Sequence, residues 1–160
     1  MTVDEKLLLS ISSSLKECDS HLDRLRRGYS LLKDFFPLTA ESMKQLSDDR
    51  VALLDQFIYR FTKLQDSMGI RLLPSVYYHL QGSSRTVPFL DILSGLEKFE
   101  VIPAENGWQF FRNLRNYLAH DYPESIEQTV KTLNTLVERW SEMNLIYTGV
   151  KSFCENKLLS

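Results

Sequence analysis

The chemistry in this chain is concentrated in Leu114 to Glu124, LRNYLAHDYPE, where Arg115, Asn116, His120 and Tyr122 fall within eight residues. Arginine is a permanent cation whose planar donor fork matches a phosphate. Histidine gives and takes protons near neutral pH. Together they suffice in kind for metal-free RNA cleavage. His120 would deprotonate a ribose 2′-hydroxyl or protonate the leaving 5′-oxygen, and Arg115 would stabilise the charge growing on the phosphoryl oxygens. A two-fold dimer would duplicate both along one groove, supplying a base and an acid from the same two residue types. On a regular helix, positions 115 and 120 lie about 140° apart, whereas Asn116 and His120 share a face. The plainer reading makes Arg115 a surface arginine and His120 a helix-end histidine that favours the C-terminal dipole.

Other site types are missing. The sequence contains no GxxxxGK[ST] phosphate loop, no GxGxxG and no HExxH. Three histidines and two distant cysteines make a zinc site improbable, and no cofactor is expected. Cys18 and Cys154 have no CxxC spacing, and Cys18 fits an apolar helical stripe as a buried thiol. The formal net charge of −2 argues against coating nucleic acid through a broad basic surface, though not against a local basic site. No apolar run approaches the roughly 18 residues of a membrane helix. The opening MTVDEKLLLS is acidic before it is apolar, unlike a secretory signal, so a cytoplasmic protein is expected.

The elements that must position these residues read as helices. With 160 residues, 43% hydrophobic and 25% charged, the chain suits one domain with a real core. Leu8, Ile11, Leu15, Cys18, Leu22, Leu25, Tyr29 and Leu32 form one stripe on a helix from about Val3 to Phe36, with a bend allowed at Gly28. A second helix starts after Thr39 or Ser42 and stops at Gly69. On it, Arg60, Lys63 and Asp66 are spaced by three. They form either a solvated polar face or a strip that faces a partner or the active groove. Pro74 opens a short helix to Leu80, and Phe89 to Phe99 form another. The next carries Trp108, Phe111, Leu114 and Leu118 on its apolar side, with Arg112 and Arg115 projecting in similar directions. Pro123, Glu124 and Glu127 suit the first turn of a last helix, marked by Ile126, Val130, Leu133, Val137 and Trp140 and ending near Asn144. Gly149 weakens any helix beyond it, so 146–160 is expected as a loosely packed tail. The fold class is all-α: an up-and-down bundle of four long helices and one or two short ones, with the first two antiparallel.

The run Arg115-Asn-Tyr-Leu-Ala-His120-Asp-Tyr122, followed by Pro123, resembles the Arg-x4-His-x-Tyr motif of the HEPN superfamily of small all-helical proteins. The stretch YRFTKLQDSMG, Tyr59 to Gly69, is similar to the second helix of HEPN proteins encoded beside minimal nucleotidyltransferases. The resemblance implies a homodimeric, metal-independent endoribonuclease toxin. Arg115 and His120 would cut RNA at the dimer cleft and leave a 2′,3′-cyclic phosphate. It also implies that Tyr122 is the tyrosine to which the nucleotidyltransferase antitoxin adds AMP. A bulky anion there would block phosphate entry beside His120 and repel RNA. Asn116 would orient the arginine or a phosphate oxygen, and Asp121 would offset nearby positive charge. Two alternatives stand beside this reading. One is a non-catalytic HEPN subunit that binds a nucleotidyltransferase or a nucleotide, which the mild acidity of the chain favours. The other is a structural helical adaptor.

Overall fold

A computed structural model describes residues 1–82, 85–119 and 125–159. These residues are all-α, with no strand among them. Helix α1 spans Val3–Leu32 and opens on a capping box: the Thr2 hydroxyl accepts from the Glu5 N–H, and the Glu5 carboxylate accepts from the Thr2 N–H, both at 3.1 Å. The expected stripe is the buried one, with Ile11, Leu15, Cys18, Leu22, Leu25 and Leu32 all in the core. The helix does not break at Gly28. A side chain there would meet the Phe57 ring at 3.1 Å, so the missing Cβ lets the next long helix approach closely.

The expected second helix divides. Thr39 caps a five-residue helix, α2, Ala40–Lys44, and Ser47 caps the long α3, Asp48–Ser67. The expected stop at Gly69 is also corrected. The chain passes through a π turn, Met68–Leu72, straight into α4, Leu73–Gln81. Two causes account for this. Gly69 stays helical because Trp108 packs on it, 3.0 Å from where a Cβ would stand. Pro74 would clash in a helix interior, and the π turn beside it loosens the hydrogen-bond ladder where its N–H is missing. Gly82, with φ +70°, ends α4 in the left-handed conformation that favours glycine.

Helix α1 lies antiparallel to this α3–α4 rod. Its residues pair in descending order: His21 with Arg60, Glu17 with Ser67 and Arg71, Ser10 with Ser75, and Asp4 with His79. Helix α5 covers Phe89–Lys98 and α6 covers Trp108–Ala119, both close to expectation. The last helix, α7, Ile126–Phe153, is capped by Ser125, so it starts after the proposed Pro123 and Glu124.

Helix α7 does not end near Asn144. It runs on into a π turn, Cys154–Leu158, and Ile146, Tyr147, Val150 and Cys154 are buried. This corrects the loosely packed tail. The Tyr147 hydroxyl lies 2.6 Å from Asp19 and 3.0 Å from the Leu15 carbonyl, while Lys151 completes the Asp19 carboxylate at 2.9 Å. Burial, helped by Asp19, pushes the Tyr147 hydroxyl well above its ordinary pKa. At the other end, the Asn134 side chain brackets the backbone of Leu38, accepting from its N–H at 2.7 Å and donating to its carbonyl at 2.9 Å. Helix α7 is thus pinned to the first forty residues at two points.

Candidate functional site

Helix α6 buries Trp108, Phe111, Leu114 and Leu118, the stripe its spacing predicts. The Asn106 side chain accepts from the Trp108 N–H at 2.8 Å and starts the helix after the left-handed Gly107. Packing of this stripe against α3, with Phe61 and Phe111 rings 6.2 Å apart, places Arg115 beside Asp66.

Arg115 donates from Nε to Asp66 Oδ1 at 3.3 Å and from Nη2 to Asp66 Oδ2 at 3.1 Å. Both side chains are about three-quarters buried, at 25% and 22% exposed. Two parallel bonds fix the plane of the guanidinium. They occupy its Nε–Nη2 side and leave the Nη1 edge without a partner among the described residues. Asn116, next in sequence, is exposed and lines a hollow with Arg112.

Arg60, Lys63 and Asp66 do not share one face. Six residues turn an α-helix by about 600°, so Arg60 and Asp66 diverge by about 120°. Arg60 faces α1, where its Nη1 lies 3.1 Å from His21 Nδ1. Asp66 faces α6. Lys63 follows Tyr59 on the outer side, with its ammonium 5.6 Å from the exposed Tyr59 ring.

The Arg60 side leads to a cluster that sequence reasoning missed. Arg60 donating to Nδ1 leaves the neutral His21 proton on Nε2, 3.9 Å from Glu17. Glu17 accepts from Ser67 Oγ and from Arg71 Nη1, each at 2.8 Å, and Arg71 also reaches Ser13 at 3.1 Å. Burial holds the His21 pKa below its ordinary value, and the cations Arg60 and Lys63 add to this against Glu17. The contacts that join α1 to the α3–α4 rod here span 39 to 58 positions, so the four-residue steps Ser13–Glu17–His21 and Ser67–Arg71 do not by themselves announce the cluster.

His120, Asp121 and Tyr122 lie outside the described residues, as do Pro123 and Glu124. The described part of the site is therefore Arg115 with Asp66, flanked by Asn116 and Arg112. Among the described residues, no three His, Cys, Asp or Glu side chains converge as metal ligands would, and no helix is long and apolar enough to cross a membrane. Compared with protein-family models, curated proteins and solved structures, the chain has no significant match.

Proposed function

We propose that this chain is a HEPN-type endoribonuclease toxin of the cytoplasm, acting as a homodimer without a metal and neutralised by a minimal nucleotidyltransferase that adds AMP to Tyr122. The observation that carries this reading is Arg115. It is the arginine of the Arg-x4-His-x-Tyr run, and Asp66 holds it as a fixed plate with one donor edge turned away from its partner. Such an edge suits the non-bridging oxygens of a phosphodiester.

In the proposed reaction His120 takes the proton of a ribose 2′-hydroxyl, whose oxygen attacks the adjacent phosphorus. The bond to the 5′-oxygen breaks, a 2′,3′-cyclic phosphate forms, and the leaving oxygen takes a proton from the second protomer's copy of the same histidine. Arg115 offsets the charge on the phosphoryl oxygens. AMP on Tyr122 would put a phosphate two residues from His120 and repel the substrate.

The experiment is RNA cleavage by purified protein in EDTA. Cleavage is expected to fall sharply for Arg115→Ala and His120→Ala while fold and dimer persist, and unchanged rates in both variants would reject the site. Incubation with the partner nucleotidyltransferase and ATP is expected to add AMP mass to a peptide containing Tyr122. A second reading, a non-catalytic HEPN subunit binding a nucleotidyltransferase or a nucleotide, draws support from the net charge of −2. It predicts no cleavage by the wild-type protein.

A further inference from the structure

One face of α6 is left open. Gln109, Arg112 and Asn116, spaced three and four apart, form the polar edge of a hollow of about 470 Å³. Its opposite wall comes from Ile70, in the π turn, and from Phe89 and Leu90, where α5 begins, with Trp108 beneath. The volume falls in the ordinary range for small-molecule pockets, roughly 300–1,000 Å³. Ile70 and Leu90 stand at its rim 70% and 67% exposed, although both are large apolar side chains. Neither the Arg112 nor the Asn116 side chain makes a hydrogen bond or ion pair among the described residues. π turns are frequent at functional sites because they displace a side chain from the regular helical surface.

We propose that this hollow holds a nucleobase of single-stranded RNA, that of a nucleotide adjoining the phosphate at Arg115. This deepens the ribonuclease reading and rests on it for the identity of the strand. A base offers what the hollow lacks: flat apolar faces for Ile70, Phe89 and Leu90, and a rim of donors and acceptors for the amides and the guanidinium. Position favours this occupant, because Asn116 follows Arg115 directly and Arg112 lies one turn before it. Charge favours it as well. Arg112 at the mouth suits a polyanionic strand, whereas burying it under an apolar helix or a second copy of the chain would cost its desolvation.

The test uses a fluorescent, non-cleavable 2′-O-methyl oligoribonucleotide, with a series in which one nucleotide at a time is made abasic. Binding to the wild-type protein and to Ile70→Asp, Leu90→Asp and Arg112→Ala is read by anisotropy. The rim positions are exposed, so the variants are expected to fold, which circular dichroism checks. One abasic position should weaken wild-type binding roughly tenfold. The same abasic change should cost Ile70→Asp almost nothing, because the base and the wall act as a pair. Equal abasic penalties in wild type and Ile70→Asp would overturn the proposal. So would an absence of oligonucleotide binding, or loss of a dimer in Ile70→Asp, which would make a second copy the occupant. Cleavage of ordinary RNA is scored separately. Base-dependent binding without cleavage would sink the ribonuclease reading and leave the pocket, while cleavage without base coupling would do the reverse.

Discussion

Arg115 on α6 and Asp66 on α3 are joined by two hydrogen bonds that fix the guanidinium plane across a helix–helix seam. In the proposed enzyme Asp66 is a positioning residue. Asp66→Ala should lower kcat for RNA cleavage on the order of a hundredfold, as expected when a charge-stabilising group drifts by about an ångström. The stability loss should be smaller, about 1 kcal/mol by urea unfolding, because the pair is partly hydrated. Arg115→Lys should lower activity with Asp66 intact and should not rescue Asp66→Ala, since an ammonium cannot make the paired contact. A full kcat in Asp66→Ala would show that Arg115 needs no carboxylate to orient it.

The His21 cluster predicts a pH-dependent stability. His21 has a depressed pKa in the folded state, so the unfolded chain binds its proton first as pH falls. Its contribution is complete above the unfolded value of about 6.5 and shrinks as pH falls below it toward the folded pKa. Urea midpoints of wild type should drop between pH 7.5 and 5.5 by more than those of His21→Gln, which keeps an acceptor for Arg60. Parallel pH profiles in the two proteins would remove His21 as the cause.

Cys18 and Cys154 are both fully buried, and burial pushes each thiol up to about 12. Thiolate is the reactive form. A disulfide reagent at pH 8 should therefore leave both unmodified in the native protein and label both in denaturant. Rapid labelling of one native thiol would reveal local opening of α1 or of the α7 end.

Two glycines should respond in opposite directions to alanine. A Cβ at Gly95 would collide with the buried Tyr77 ring, so Gly95→Ala should cost about 1–3 kcal/mol despite alanine's better helix propensity. At Gly149 nothing lies within 4 Å, and Gly149→Ala should raise stability by up to about 1 kcal/mol. Thermal midpoints of the two variants, compared with wild type, check both signs.

These positions also mark what the sequence could reveal. The stripes of α1, α6 and α7 were legible because every third or fourth residue is apolar, and each stripe proved to be the buried face. Gly69 and Gly149 read as punctuation because glycine weakens an isolated helix. Their helices persist through contacts made by distant residues: Trp108 on Gly69, and Asp19 with Tyr147 and Lys151. Arg115 was identifiable by type and motif. Its partner Asp66, 49 positions earlier, stood out only as part of a polar strip, because the turn of α3 that separates it from Arg60 becomes meaningful once α6 is in place.

The two anchors of α7 carry a consequence for synthesis. Asn134 clasps Leu38 across 96 positions, and Tyr147 meets Leu15 across 132. A nascent chain that has not yet delivered α7 therefore presents α1 with one flank uncovered, however completely α3 to α6 have emerged. Closure waits for α7 to emerge. Until then the growing polypeptide carries apolar surface that a chaperone would recognise.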